Sequence, residues 1–262
     1  MTQLDPTPFS PSSRLFLLLC LALACAATLS AAQETDRPWY ARYGLPPGGR
    51  VAVENIQGDV LVEGCDRAEV EITAAKFDAA QSYSFKEVKV VTEVGDNSLT
   101  FRTVYPAHPD KPVRMNYHLR VPRQVRLDLR TLEGNIVVRS VEGPVDARTL
   151  SGNIEQEDVT GRVVARALTG SIFVSLRALP RGTAPLLLDT VNGNVVLLLP
   201  PRPNADLELS TVAGAIEGNY PFQVSSVPGD STRRARLGQG GVTITLRTVR
   251  GSLRVAERDD RL

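Results

Sequence analysis

Few side chains in this sequence are placed to do chemistry. Arg130, Arg148 and Arg166 recur at intervals of 18 residues, with Arg126 and Arg162 upstream on the outer two repeats and Asp128 and Asp146 between them. Guanidinium forks suit phosphate and carboxylate groups. The set Arg126, Arg130, Arg148, Arg162 and Arg166 therefore predicts contact with an anionic envelope glycan or a lipid head group. The plainer reading of the same residues is a solvated face of mixed charge. Asp128 and Asp146 would share one outward column roughly 4.8 Å apart in backbone. That is the one arrangement here reminiscent of the paired carboxylates of a polysaccharide-active enzyme, and the neighbouring arginines favour ion pairing instead. His108 and His118 have no acid, base or metal partner in the pattern. There is no nucleophile elbow, metalloprotease helix motif, phosphate-binding glycine loop or cysteine pair with metal spacing. No catalytic residue, metal or cofactor is expected. Thirty Lys+Arg against 29 Asp+Glu leave a net charge of +1, which disfavours a nucleic-acid binder acting through bulk charge, and 5% aromatic residues disfavour an aromatic-lined sugar cleft.

The elements that must position these side chains are repeats. Seven segments share the template (Thr/Asn/Ala)-apolar-x-Gly-(Asn/Asp/Ser/Ala)-apolar, centred on Gly58, Gly134, Gly152, Gly170, Gly193, Gly214 and Gly251. The spacing is 18 from Gly134 to Gly152 and again to Gly170, then 23, 21 and 37. Half-repeats at Val141-Glu142-Gly143 and Val159-Thr160-Gly161 mark a turn about midway. Apolar residues alternate with period two on both sides of each glycine, as half-buried strands require. Upstream columns are Val51/Leu127/Val145/Val163/Leu186/Leu207/Ile244 and Val53/Leu129/Ala147/Ala165/Leu188/Leu209/Leu246; downstream, Val60/Ile136/Ile154/Ile172/Val195/Ile216/Leu253 leads. Rows of like residues in register predict an all-β fold: a short single-stranded β-solenoid, two strands per coil, with neighbours closing the core between them. Stacked in chain order, seven rows span about 29 Å. Glycine marks sharp bends, and Asn or Asp beside it predicts a hydrogen-bonded ladder at the corner.

Between the first repeat and the rest, Glu69 to Pro122 carries four alternating runs, 69–73, 88–92, 98–102 and 117–121. They predict an N-terminal antiparallel β section packed on one end or face of the repeats, shielding their edges. Its expected task includes covering the outward apolar residues Leu61, Val137, Phe173, Val196 and Leu198. The charged tail from Glu257 to Arg261 is expected to cap the other end. Cys65 falls in the column of Val141 and Val159 and is expected to be a small buried hydrophobe, with a reactive thiol as the alternative.

The N-terminus reads as an export signal: Arg14 precedes the apolar run Leu15 to Ala27, and Ser30-Ala31-Ala32 offers a cleavage site. Cys20 and Cys25 fall inside it, and a weak lipobox at Ala22 to Cys25 raises a lipid anchor at Cys25 as an alternative. The expected division is signal peptide 1–32, linker 33–48, N-terminal β section with the first repeat 49–125, repeats 126–256 and charged tail 257–262.

Leu119-Arg120-Val121-Pro122, Leu127 to Ile136, Leu197 to Pro200 with Leu207 to Thr211, and Gly240 to Ile244 together resemble the bacterial "putative adhesin" β-strand repeat family, over about Gly49 to Val255. The resemblance implies an extracytoplasmic β-solenoid of the periplasm or cell surface, sometimes tied to envelope stress. The expected function is a non-enzymatic, adhesin-like interaction or scaffold module. Its expected partner is an anionic envelope glycan, lipid head groups or an envelope membrane protein. An accessory of envelope-stress signalling and a polysaccharide-active enzyme stay open as alternatives.

Overall fold

A computed structural model describes residues 38–77, 83–108, 112–182, 184–224 and 232–258. The expected signal segment with Cys20 and Cys25, and tail residues 259–262, lie outside them.

Among the described residues the fold is all-β, with one short helix, α1 (Tyr83–Glu87). Strands from successive repeats alternate between two sheets, so each repeat contributes one rung with a strand in each. The rungs are β2 (Arg50–Glu54) with β3 (Val60–Cys65), β8 (Arg126–Glu133) with β9 (Ile136–Arg139), β10 (Val145–Ser151) with β11 (Ile154–Thr160), and β12 (Val163–Thr169) with β13 (Ile172–Ala178). Then come β14 (Leu186–Asn192) with β15 (Val195–Leu199), β16 (Ala205–Ala213) with β17 (Ile216–Gly218), and β20 (Val242–Arg250) with β21 (Leu253–Glu257). Neighbouring rungs pair in parallel and in register: Val51, Leu127, Val145 and Val163 form one row, and Val60, Ile136, Ile154 and Ile172 another. Both rows are buried and belong to one continuous core. Each such side chain contributes about 1.5–3 kcal/mol of burial.

Two ladders tie the corners. Thr131, Thr149, Thr190, Thr211 and Thr248 point inward, and each hydroxyl donates to the carbonyl of a corner glycine one rung away, at 2.9–3.3 Å. Asn55 serves the first rung with its amide, whereas Ala167 leaves a gap opposite Gly152. Just past the glycines, Asn135 Oδ1 accepts from the Asn153 N–H, Asn153 Oδ1 from Ser171 N–H and Asn194 Oδ1 from Ser252 N–H, at 2.8–2.9 Å. This is the Asn/Ser ladder expected from the template. The glycine itself is required twice over at Gly152: its φ is +150°, and a Cβ there would overlap the Gly134 carbonyl of the next rung.

The remaining strands are β1 (Trp39–Gly44), β4 (Glu69–Phe77), β5 (Lys89–Gly95), β6 (Ser98–Val104), β7 (Arg114–Pro122), β18 (Gln223–Val224) and β19 (Arg233–Leu237). They correct four expectations. First, β6 and β7 pair in parallel with β2 and β3, forming a further rung without the glycine template. A loop replaces the tight corner, and Asn116 takes the ladder position, its Oδ1 accepting from the Asp59 N–H at 2.9 Å. Only β4, β5 and β1 add antiparallel strands beyond it. Second, this region lengthens the sheets edgewise and does not lie over their outer face. Leu61, Val137, Phe173 and Val196 lie in one half-buried row on that face, interrupted by Glu155 between Val137 and Phe173, with Leu198 beside them. Third, β1 arises within 33–48, the expected linker, and pairs with β4; its Tyr43 ring sits 5.7 Å from that of Phe101, closing the end of the core. Fourth, the last repeat does not stack last. β20 lies between β14 and β16, and β21 between β15 and β17, so the segment expected as a cap leaves from one rung short of the end of the stack. Arg258 donates to Asp158 at 3.0 Å there, while Tyr220 and Phe222 pack against the core from the segment after β17.

Cys65 is a free thiol at the C-terminal end of β3, opposite Pro122, and is half-buried where Val141 and Val159 are fully buried.

Candidate functional site

Strand parity builds the surface. In β8, β10 and β12, Leu129, Ala147 and Ala165 face in, so Arg130, Arg148 and Arg166 face out; Thr131, Thr149 and Ala167 face in, so Leu132, Leu150 and Leu168 face out. The parallel register stacks the three arginines directly above one another, with Glu54 preceding and Asp189 and Arg247 following in the same row. Beside it runs an aliphatic stripe. Leu132, Leu150 and Leu168 are 45%, 51% and 48% exposed, and Ile56, Val249 and Val212 extend the line at 40%, 41% and 77%. Between the two rows lies an open groove of about 370 Å³, with Thr131, Thr149 and Ala167 at its floor and Val191 at its far end.

The three guanidinia differ in what holds them. Arg130 reaches back to Asp128 with both Nε and Nη2, at 3.0 and 3.2 Å, and Arg50 holds the same carboxylate at 3.0 Å. Arg148 makes the equivalent fork to Asp146, with both bonds at 2.8 Å. That hydrogen bond leads the factors raising the Arg148 pKa, so its charge is permanent at any working pH. In β12 the residue two before the arginine is Val164, and among the described residues Arg166 makes no ion pair within 4 Å; Asp189 is its in-register neighbour. A fork without a carboxylate is open to an external one.

Arg126 and Arg162 do not join this group. Arg126 opens β8 opposite Arg50, and Arg162 precedes β12, its carbonyl accepting from the Val145 N–H at 2.9 Å. Four residues of strand separate each from the groove, about 13 Å. The expected set of five is thus a row of three and two outlying charges. Asp128 and Asp146 do share a column, in register on β8 and β10, and both are tied to arginines. His118 Nε2 lies 2.8 Å from a Glu63 carboxylate on the outer face of the other sheet, and His108 is an exposed loop residue. Among the described residues no group of three His, Cys, Asp or Glu side chains could hold a metal ion.

Sequence reasoning missed the aliphatic stripe. Its signal was present: the second template position is apolar in every repeat, and one step from an inward Thr it must point outward.

No protein-family model matches the chain, and no curated protein matches it. Among solved structures it is similar to a "putative cell adhesion protein" from Clostridium sporogenes, with 10% identity over 85% of this chain and 100% of that one, at a TM-score of 0.46. It is also similar to a "putative adhesin" from Bacteroides fragilis, with 10% identity over 86% of this chain and 98% of that one, at a TM-score of 0.42.

Proposed function

We propose that this protein is an exported, non-enzymatic interaction module of the cell envelope, an adhesin-like β-solenoid that binds phosphate- or carboxylate-bearing groups of envelope material through the Arg130–Arg148–Arg166 row. Residues 1–32 direct export to the periplasm or cell surface. The observation that carries the reading is the in-register stacking of three guanidinia along an open groove, with one fork uncommitted. Rungs repeat about every 4.8 Å, so an extended anionic ligand lying along the stack meets a charge at each step. Arginine is suited to this because its planar fork can bind an oxyanion through two parallel bonds.

The test is retention of the chain from Gln33 on anionic and neutral glycans and on anionic and neutral vesicles, at low and raised salt. Retention by the anionic members that salt weakens supports the reading. The triple variant Arg130→Gln, Arg148→Gln, Arg166→Gln should lose about tenfold or more in apparent affinity at low salt. Unchanged, salt-insensitive retention of that variant would overturn it.

A further inference from the structure

The guanidinium row explains attraction to an anion, but not why a second row beside it holds large aliphatic side chains half in water. A polyanion in solution gains nothing from Leu132, Leu150 and Leu168. A ligand that uses both rows must present an anionic layer with an apolar layer directly against it, and lipid leaflets are built that way. We propose that the edge of the stack carrying Leu132, Leu150, Leu168 and the adjoining guanidinia seats the protein on the surface of an anionic lipid bilayer. The aliphatic side chains enter the head-group and acyl boundary while Arg148 and Arg166 pair with head-group phosphates. The inference rests on the proposed anion-binding role and names its ligand.

Three observations favour a bilayer over other occupants. The charged and apolar rows are complementary, side by side and in register over the same three rungs, to the layering of a leaflet. The stripe outruns the groove: Ile56 lies on the rung before Leu132, and Val249 and Val212 on the two rungs beyond Val191, the last being 77% exposed. Seven rungs at about 4.8 Å make a line of about 29 Å, extending past what one acyl chain in the groove would cover. The line is also periodic, with one apolar side chain on each of its rungs, as suits a fluid surface that needs no register. An amphipathic surface of this kind binds through buried apolar area together with attraction to anionic lipid, about 1 kcal/mol per basic residue near the surface, each part weak alone.

The chain from Gln33 is the material for the test, because Arg37–Leu262 forms a compact unit and the apolar run 15–27 would partition into lipid by itself. Flotation is measured with vesicles of phosphatidylcholine alone and with added phosphatidylglycerol, at low and raised salt, with dextran sulfate as a lipid-free polyanion. Binding is expected on the anionic vesicles and not on phosphatidylcholine alone. The variant Leu132→Ser, Leu150→Ser, Leu168→Ser, exposed positions whose folding is checked by circular dichroism, should bind anionic vesicles about tenfold or more weaker while keeping its affinity for dextran sulfate. As a second readout, Leu150→Trp should give a blue-shifted emission on anionic vesicles that brominated acyl chains quench. If the leucine variant floats as well as the parent while the arginine variant does not, the bilayer inference is overturned and the anion-binding role stands. Loss of neither interaction in either variant overturns both. A leucine-dependent dimer that forms without lipid and does not float assigns the stripe to a second copy and overturns the inference.

Discussion

Gln156 occupies an inward position in β11, in register between Val138 and Val174, and is fully buried. Among the described residues neither its Nε2 nor its Oε1 finds a hydrogen-bond partner. A buried amide lacking its bonds costs about 1–3 kcal/mol, and the neighbouring rungs show that an aliphatic side chain fits the row. Gln156→Leu and Gln156→Met nearly conserve volume, so repacking costs under about 1.5 kcal/mol. The expected outcome is a net gain of about 1–2 kcal/mol. For a unit of 150–250 residues each kcal/mol moves Tm by roughly 2–4 °C, giving about 2–8 °C. Urea and thermal denaturation of both variants, with an unchanged m value, provide the assay. If both variants lose more than about 1 kcal/mol, the amide makes interactions that the surrounding protein atoms do not account for, and the reasoning fails.

Thr149→Val removes the donor to the Gly134 carbonyl inside the corner and should cost about 1–3 kcal/mol in urea denaturation, whereas Ala167→Thr restores the missing member opposite Gly152 and should recover about 0.5–1.5 kcal/mol. At Asp158, burial pushes the carboxyl pKa up, and the guanidinia of Arg258 and Arg177 outweigh it, so the folded value lies below the ordinary one. The stabilisation is therefore present above about pH 4 and lost as pH falls through the folded value. Asp158→Asn, which tolerates the φ of +55° there, should lose about 1 kcal/mol at neutral pH and show a flatter decline under acid titration. Asp146→Asn frees the Arg148 fork and adds one unit of local charge, so at low salt it should tighten retention on anionic vesicles by about threefold or more, a gain that raised salt removes. Weaker retention would show that Asp146 aims the fork and does not compete for it.

What could be read from the sequence was whatever each rung repeats. Val51, Leu127 and Val145 each look like a strand residue, and their common distance from a glycine sets them in register; the corner ladder followed from Asn and Ser at one offset. The rung of β6 and β7 escaped because a loop replaces its corner and Asn116 stands alone at the ladder position. The place of β20 escaped for a different reason. Its template equals that of β16, so local pattern fits either slot, and chain order was the wrong guide once β18 and β19 had extended the edge of β16 outward. The outer face was misjudged because the N-terminal strands had the lengths and alternation of a covering sheet. Backbone pairing with β2 and β3 satisfies their edge groups, which lying over side chains would not.

Stacking in register also explains why the candidate surface could not be inferred from composition. A net charge of +1 over 262 residues describes a molecule with no preference for anions. The fold sorts those charges by strand position, so residues 18 apart in sequence become neighbours about 4.8 Å apart. Arginines that would be screened from one another in an unfolded chain then act as one array. Ion pairs with Asp128 and Asp146 offset the charges of Arg130 and Arg148, and Val164, in place of a third aspartate, leaves Arg166 without one. Parity works on the apolar residues in the same way: Leu132, Leu150 and Leu168, scattered in sequence, become an edge. The rungs of β8, β10 and β12 each contribute one cation and one aliphatic side chain, and the binding we propose would rest on their sum, each part being weak alone.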